Sequence, residues 1–367
     1  MDRSEQNFPP RSEVQPEQKI ANDPIREYQE LEQAEIEVLR QKFQSGWSRE
    51  KKEGDPELHF TFLFSEHKTG EDFKKLKNAL KEVDIIVPEM AGWDQKQLEK
   101  FNMLSRGKLI PRQMLERLGF NESEKESDDY QSWYVLSEAL YKSRKPVVLA
   151  DLPDDHPLMN KRNAIEGRAN FGAIMREENF DKALVEYQKL ILNSVRVQIE
   201  RETYILEHLG PAVEQAVKEN SSLKNKTNLN IGIIIGSFHV GLNLELKRQG
   251  EKTKAEFRQL PYYYCPSGLI LLRLRLNKEV SKTLLARGYL EALLWTHDLL
   301  PKSKDSNKIN TYVLRVCNQF TYDEISEIFK TLREKGPESI PLIISAKFKE
   351  KAIKIPENEE ELDNFIK

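Results

Sequence analysis

The chain predicts an α/β fold, with a central mixed, largely parallel sheet flanked by helices behind a disordered N-terminal leader. Two observations carry this. Apolar runs of strand length at 58–64, 83–87, 146–151 and 228–235 alternate with stretches whose apolar residues recur at helical spacing. The first two runs are joined by a polar loop and a helix, a βαβ unit that implies parallel pairing with a right-handed crossover.

Residues 1–22 are polar and contain prolines, with too little apolar surface to offset the entropy of ordering, and read as disordered. Asp23 and Pro24 suit the N-cap and first position of a helix that runs to about residue 50. Its apolar stripe (Ile25, Tyr28, Leu31, Ile36, Leu39, Phe43) would dock on the body, or serve a protein partner or self-association through residues 24–44. An α/β domain is expected over 55–254. It contains strand 58–64, a helix with Phe73, Leu76, Leu80 and Val83, strand 83–87, a helix near 131–143 and strand 146–151. A helical region then runs from about Asp181 to His208, broken at Gly210-Pro211, and resumes to about Lys218. The strand at 228–235 leads into a helix ending near Gly250, the usual residue just past a helix C-terminus. Residues 255–367 would continue the sheet or cap it, with strands at 268–275 and 341–345 and helices at 280–296 and 322–334.

The 57 Lys+Arg against 60 Asp+Glu leave a net charge of −3, which excludes a generally basic nucleic-acid coat. No apolar run reaches the roughly 18–20 residues that span a bilayer, and the leader lacks the apolar core of a secretory signal. A cytoplasmic protein without nucleic-acid or membrane partners is therefore expected. Cys265 and Cys317, the only cysteines, are too few for a disulfide framework.

Gly236-x-x-x-x-Gly241 matches half of a P-loop, but Leu242 and Asn243 stand where Lys and Ser/Thr should follow. A nucleotide- or sugar-binding reading rests on that half-motif and on architecture alone. No dinucleotide fingerprint, nucleophile elbow or zinc-protease helix occurs. Of six histidines, His67 and His239 lie just past apolar strands, where ligands gather in parallel sheets. Imidazole there can ligate a metal or move a proton near neutral pH, and Glu89 ends the second strand after Pro88. Two imidazoles and a carboxylate suit a divalent metal with an open position for water, so His67, Glu89 and His239 are the expected ligands. Each of these residues alone more often serves a loop hydrogen bond or a cap.

At these residues the sequence resembles the Tiki/TraB/PrgY families and, more distantly, the erythromycin-esterase and ChaN-like proteins. The segment Ile231-Gly-Ile-Ile-Ile-Gly236-Ser-Phe-His239-Val-Gly241-Leu242 is similar to their apolar strand followed by Gly-x-x-His and Gly-Leu. Asp84-Ile-Ile-Val-Pro-Glu89 looks like their Asp-x-x-x-x-Glu strand, and Arg201 matches an Arg-Asn pair on a helix, with Glu202 in place of the Asn. The first Gly-x-x-His becomes Phe64-Ser65-Glu66-His67, which keeps the imidazole and loses the glycine. The resemblance covers about residues 58–250 and implies a metal-dependent hydrolase-like protein of peptidase or esterase type. Glu66 or Glu89 would act as general base, and Arg201 would steady developing negative charge. A catalytically degenerate regulatory or binding module on the same fold is the alternative, favoured by the missing glycine.

Overall fold

The computed structural model describes residues 36–47, 49, 52–65, 76–121, 125, 127–166, 174–257, 264–276, 278–297, 299–303 and 305–367. The expected leader, the start of the first helix, Glu66 and His67 lie outside the described residues. Four strands form one sheet: β1 (Glu57–Ser65), β2 (Ile85–Pro88), β3 (Asn228–Gly236) and β4 (Lys252–Phe257). Their spatial order is β2-β3-β1-β4, and every pairing is parallel. Among the described strands the sheet is therefore wholly parallel rather than mixed.

The run at 146–151 does not become a full strand. Val147 makes an isolated parallel bridge to Ile86, and the Asn102 side chain occupies its outer backbone groups, accepting from Val147 N (3.1 Å) and donating to Val147 O (3.3 Å). An amide side chain thus stands where a further strand would pair, and it closes the sheet edge.

Thirteen helices with complete bounds surround the sheet among the described residues. Before β3 come α1 (Gln95–Ser105), α2 (Pro111–Arg117), α3 (Asp128–Leu140), α4 (Pro157–Glu166), α5 (Phe180–Glu219) and α6 (Ser221–Lys224). After it come α7 (Val240–Arg248), α8 (Pro266–Arg275), α9 (Lys282–Thr296), α10 (Ser306–Asn318), α11 (Tyr322–Lys335), α12 (Ile340–Glu350) and α13 (Glu359–Ile366). Side-chain caps explain several starts: Asn179 accepts from Lys182 N, Ser281 from Leu284 N, and Thr321 with Glu324 forms a capping box. Among the described residues no helix is long and apolar enough to cross a membrane.

The alternation of strand side chains divides the interior. Phe60, Phe62, Phe64, Ile231, Ile233 and Ile235 face the second half of α5 (Ile205, Leu209, Val213), while Leu63, Ile86 and Ile234 face Phe101, Leu104 and Leu140. A third core joins the first half of α5 (Leu184, Ile191, Val195) to α8–α13. One 40-residue helix therefore serves both the sheet and the C-terminal helices.

Three expectations are corrected. Gly210-Pro211 does not break α5, because Leu209 and Val213 on either side are buried in the sheet core. Continuous burial of about 1.5–3 kcal/mol per large apolar side chain outweighs one lost backbone bond. Residues 268–275 form a helix, α8, which starts with Pro266 in its first turn. Residues 341–345 likewise belong to α12, with Pro341 at its start, so after β4 the described residues of the C-terminal third add helices rather than strands. Residues 36–45 are helical and docked: the Arg40 guanidinium donates to the carbonyls of Arg275 (2.8 Å) and Leu274, at the end of α8.

Candidate functional site

Glu89, Arg201 and His239 meet at the C-terminal ends of β2 and β3. Glu89 follows Pro88, and its main-chain N–H still donates to Ile234 O (2.7 Å), which aims the carboxylate across the strand ends. Gly236 N–H donates to Glu89 Oε2 (2.6 Å). A Cβ on Gly236 would lie 3.3 Å from that oxygen, so the glycine permits a close approach. The 3₁₀ turn Ser237–His239 then carries the imidazole back over the strand ends.

Arg201 links the other members. Its Nε donates to Asp151 Oδ1 (2.8 Å) and its Nη2 to Asp151 Oδ2 (2.5 Å), a bidentate pair. Nη2 also donates to Glu89 Oε1 (2.9 Å), and Nη1 lies 3.3 Å from His239 Nε2. Burial works against this guanidinium's charge, but Asp151 and Glu89 outweigh it and hold its pKa above the ordinary arginine value.

His239 is gripped from behind. Its Nδ1 lies 2.8 Å from Glu202 Oε1, and Glu202, fully buried, is also ion-paired to Arg275 of α8. With Nδ1–H donated to Glu202, Nε2 is left unprotonated toward Arg201 and Glu89, a tautomer assigned from the network. Two further donors fix the peptide before His239: Gln198 Nε2 (2.6 Å) and Arg275 Nη1 (2.8 Å) both donate to Phe238 O. Arg275 reaches this position past Gly241, where a Cβ would overlap its guanidinium. Here lies the steric use of the second glycine in the half P-loop.

Of the residues expected at the site, Glu89, Arg201 and His239 are brought together, whereas Glu66 and His67 lie outside the described residues. Asp84 belongs elsewhere. It sits before β2, accepting from Asn230 N (3.0 Å) and Lys226 Nζ (2.6 Å), and it ties β2 to β3 at the opposite end. Asp151, Glu202, Arg275 and Gln198 were not anticipated as site residues. Asp151 ends an apolar run just as Glu89 does, so the strand-end rule could have found it. Arg275 gave no signal, because its Leu-Arg alternation has the period of a strand.

The described donors do not fit a divalent metal. His239 Nε2 and Glu89 Oε1 lie 3.6 Å apart, close enough to share an ion, but the Arg201 guanidinium faces both atoms and Asp151 fixes it there. A cation placed between them would meet a fixed positive charge. Among the described residues no group of three or more His, Cys, Asp or Glu side chains is arranged to hold a metal. Among the described residues, Glu89 and His239 are instead engaged in an ion-paired network centred on Arg201.

Compared with protein-family models, curated proteins and solved structures, the chain matches none.

Proposed function

We propose that the chain is a hydrolase-like protein of the kind the Tiki/TraB resemblance implies, with His239 as its acid–base residue rather than a metal ligand. One observation carries the reading. The imidazole is held at Nδ1 by a buried carboxylate, and its Nε2 is turned toward Glu89 and Arg201 at the ends of two parallel strands. In this reading a water molecule takes the place of the long Arg201–Nε2 contact and gives its proton to Nε2 as its oxygen attacks the substrate carbonyl. The Glu202 carboxylate steadies the resulting imidazolium. Arg201 Nη1 faces the negative charge that develops on the carbonyl oxygen, and the imidazolium returns its proton to the leaving group. Peptides or esters are the substrate class that follows from the resemblance.

The second reading, a catalytically degenerate binding or regulatory module, is favoured by a different observation. The side chains of Arg201, Asp151, His239 and Glu202 are at most 7% exposed, and Glu89 reaches only 18%. Turnover of p-nitrophenyl esters and fluorogenic peptides, with and without added zinc or manganese, separates the two. The hydrolase reading expects His239→Ala to lower kcat by about 10²–10⁴ with the fold intact. Equal background rates for the parent and the variant under every condition reject it and leave the binding module. Turnover that requires added metal, with saturable metal uptake lost in His239→Ala, would restore the metal-ligand role.

A further inference from the structure

A second cleft, independent of the hydrolase reading, lies beside the edge segment 146–149. It measures about 250 Å³ and is walled by one face of α1, from Gln95 to Ser105, and the last turns of α5. In a chain of net charge −3, its charged lining is Arg106, Arg144 and Lys145 against Glu219 alone. Lys145 is engaged, its ammonium donating to the carbonyls of Leu80 (2.5 Å) and Lys81 (2.8 Å). Glu219 accepts from the Gln215 amide. Arg106 and Arg144 are exposed, and neither side chain has an ion pair or hydrogen bond among the described residues.

The loop that presents Arg144 is pinned at every step. Lys142 and Arg144 both have φ of 59°, a left-handed conformation that side-chain-bearing residues disfavour. It is imposed by Lys142 N donating to Leu104 O (3.3 Å), Arg144 N to Ser105 O (3.0 Å) and Ser105 Oγ to Lys145 O (2.6 Å). Such conformations persist where the surroundings enforce them, and they concentrate at ligand clamps. Here the enforced geometry sets Arg144 in the lining of the same cleft as Arg106, so two exposed guanidinium-bearing side chains are available to one anion. Leu98, Pro146 and Ala212 add apolar surface to the same cleft.

We propose that this cleft binds a small organic molecule with an oxyanion head. Arg106 and Arg144 grip the head, and the apolar wall takes the body. Phosphate and carboxylate share this chemistry, so the test uses phenyl phosphate and benzoate, with phenol as the headless control, all at constant ionic strength. Titration calorimetry together with amide NMR of the full chain should show saturable binding, with shifts centred on residues 102–106, 144–149 and 215–220. Whichever probe binds more tightly identifies the head group. Arg144→Gly should raise Tm, by relieving the left-handed residue, while weakening binding by about tenfold or more. Arg106→Gln should weaken it similarly without a gain in Tm. Absence of saturable binding for both anions, equal binding of phenol, or unchanged affinity in both variants overturns the proposal.

Discussion

Two buried carboxylates of this chain are handled in opposite ways. Glu202, beneath His239, meets a guanidinium directly. Glu291 of α9 is also buried, and its carboxylate is met by neutral donors: Ser267 N (2.6 Å) and Ser267 Oγ (2.8 Å) at the start of α8, with the Cys265 and Trp295 side chains. Burial pushes the Glu291 carboxyl above the ordinary carboxylate range, against hydrogen bonds from Cys265, Ser267 and Trp295 that pull the other way. The same burial drives the neighbouring Cys265 thiol up to about 12, so that thiol stays protonated at neutral pH and is no nucleophile. The carboxylate beneath the imidazole is matched by a counter-charge; the one that caps a helix is held by neutral hydrogen-bond donors. The end of the sheet is built in the first way, as a site that depends on fixed charges requires.

The sharpest way to break this comparison is Arg201→Met. It leaves Asp151 and Glu89 buried without their shared cation, and urea unfolding should show a loss of about 3–5 kcal/mol. A loss below about 1 kcal/mol would mean that solvent or other groups already satisfy both carboxylates. Arg275→Met should cost a similar amount alone but far less in a Glu202→Gln background, since the second change removes the stranded charge. Additive costs in that double-mutant cycle would deny the coupling. Gly241→Ala forces a methyl group into the Arg275 guanidinium and should destabilise by about 1–3 kcal/mol, with most of the loss absent when Arg275 is already Met.

The smallest effect belongs to Glu291. Its folded pKa lies above the unfolded one, so its contribution to stability is fully present below about pH 4.3 and is lost as pH rises through the folded value. Glu291→Gln should flatten that segment of the stability–pH curve, measured by thermal unfolding. An unchanged slope would show that the carboxyl titrates normally.

How much of this was legible in the sequence depends on the range of the interaction that decides each element. Strands β1 and β3 are set by their own apolar runs, and Glu89 and His239 follow from the ends of such runs. Helix α8 was misread because its alternating leucines and arginines satisfy a strand period. Its surroundings are tertiary: Ile270 packs into the core with α5 and α9, and Arg275 passes Gly241 to reach Glu202, all remote in sequence. Pro211 reads as a break because the cost of proline is local, whereas the burial of Leu209 and Val213 that overrides it is tertiary. In the sequence Glu202 reads only as a departure from the Asn of the families it resembles; that it lies against an imidazole is a tertiary fact.

The long helix α5 has a mechanical consequence. At about 1.5 Å per residue it runs about 60 Å, and it passes from the C-terminal core to the sheet core between Ile199 and Ile205, the stretch that carries Arg201 and Glu202. A continuous rod cannot fold like a clamshell at that junction. A protease nick between residues 199 and 205 should collapse both halves of the molecule together.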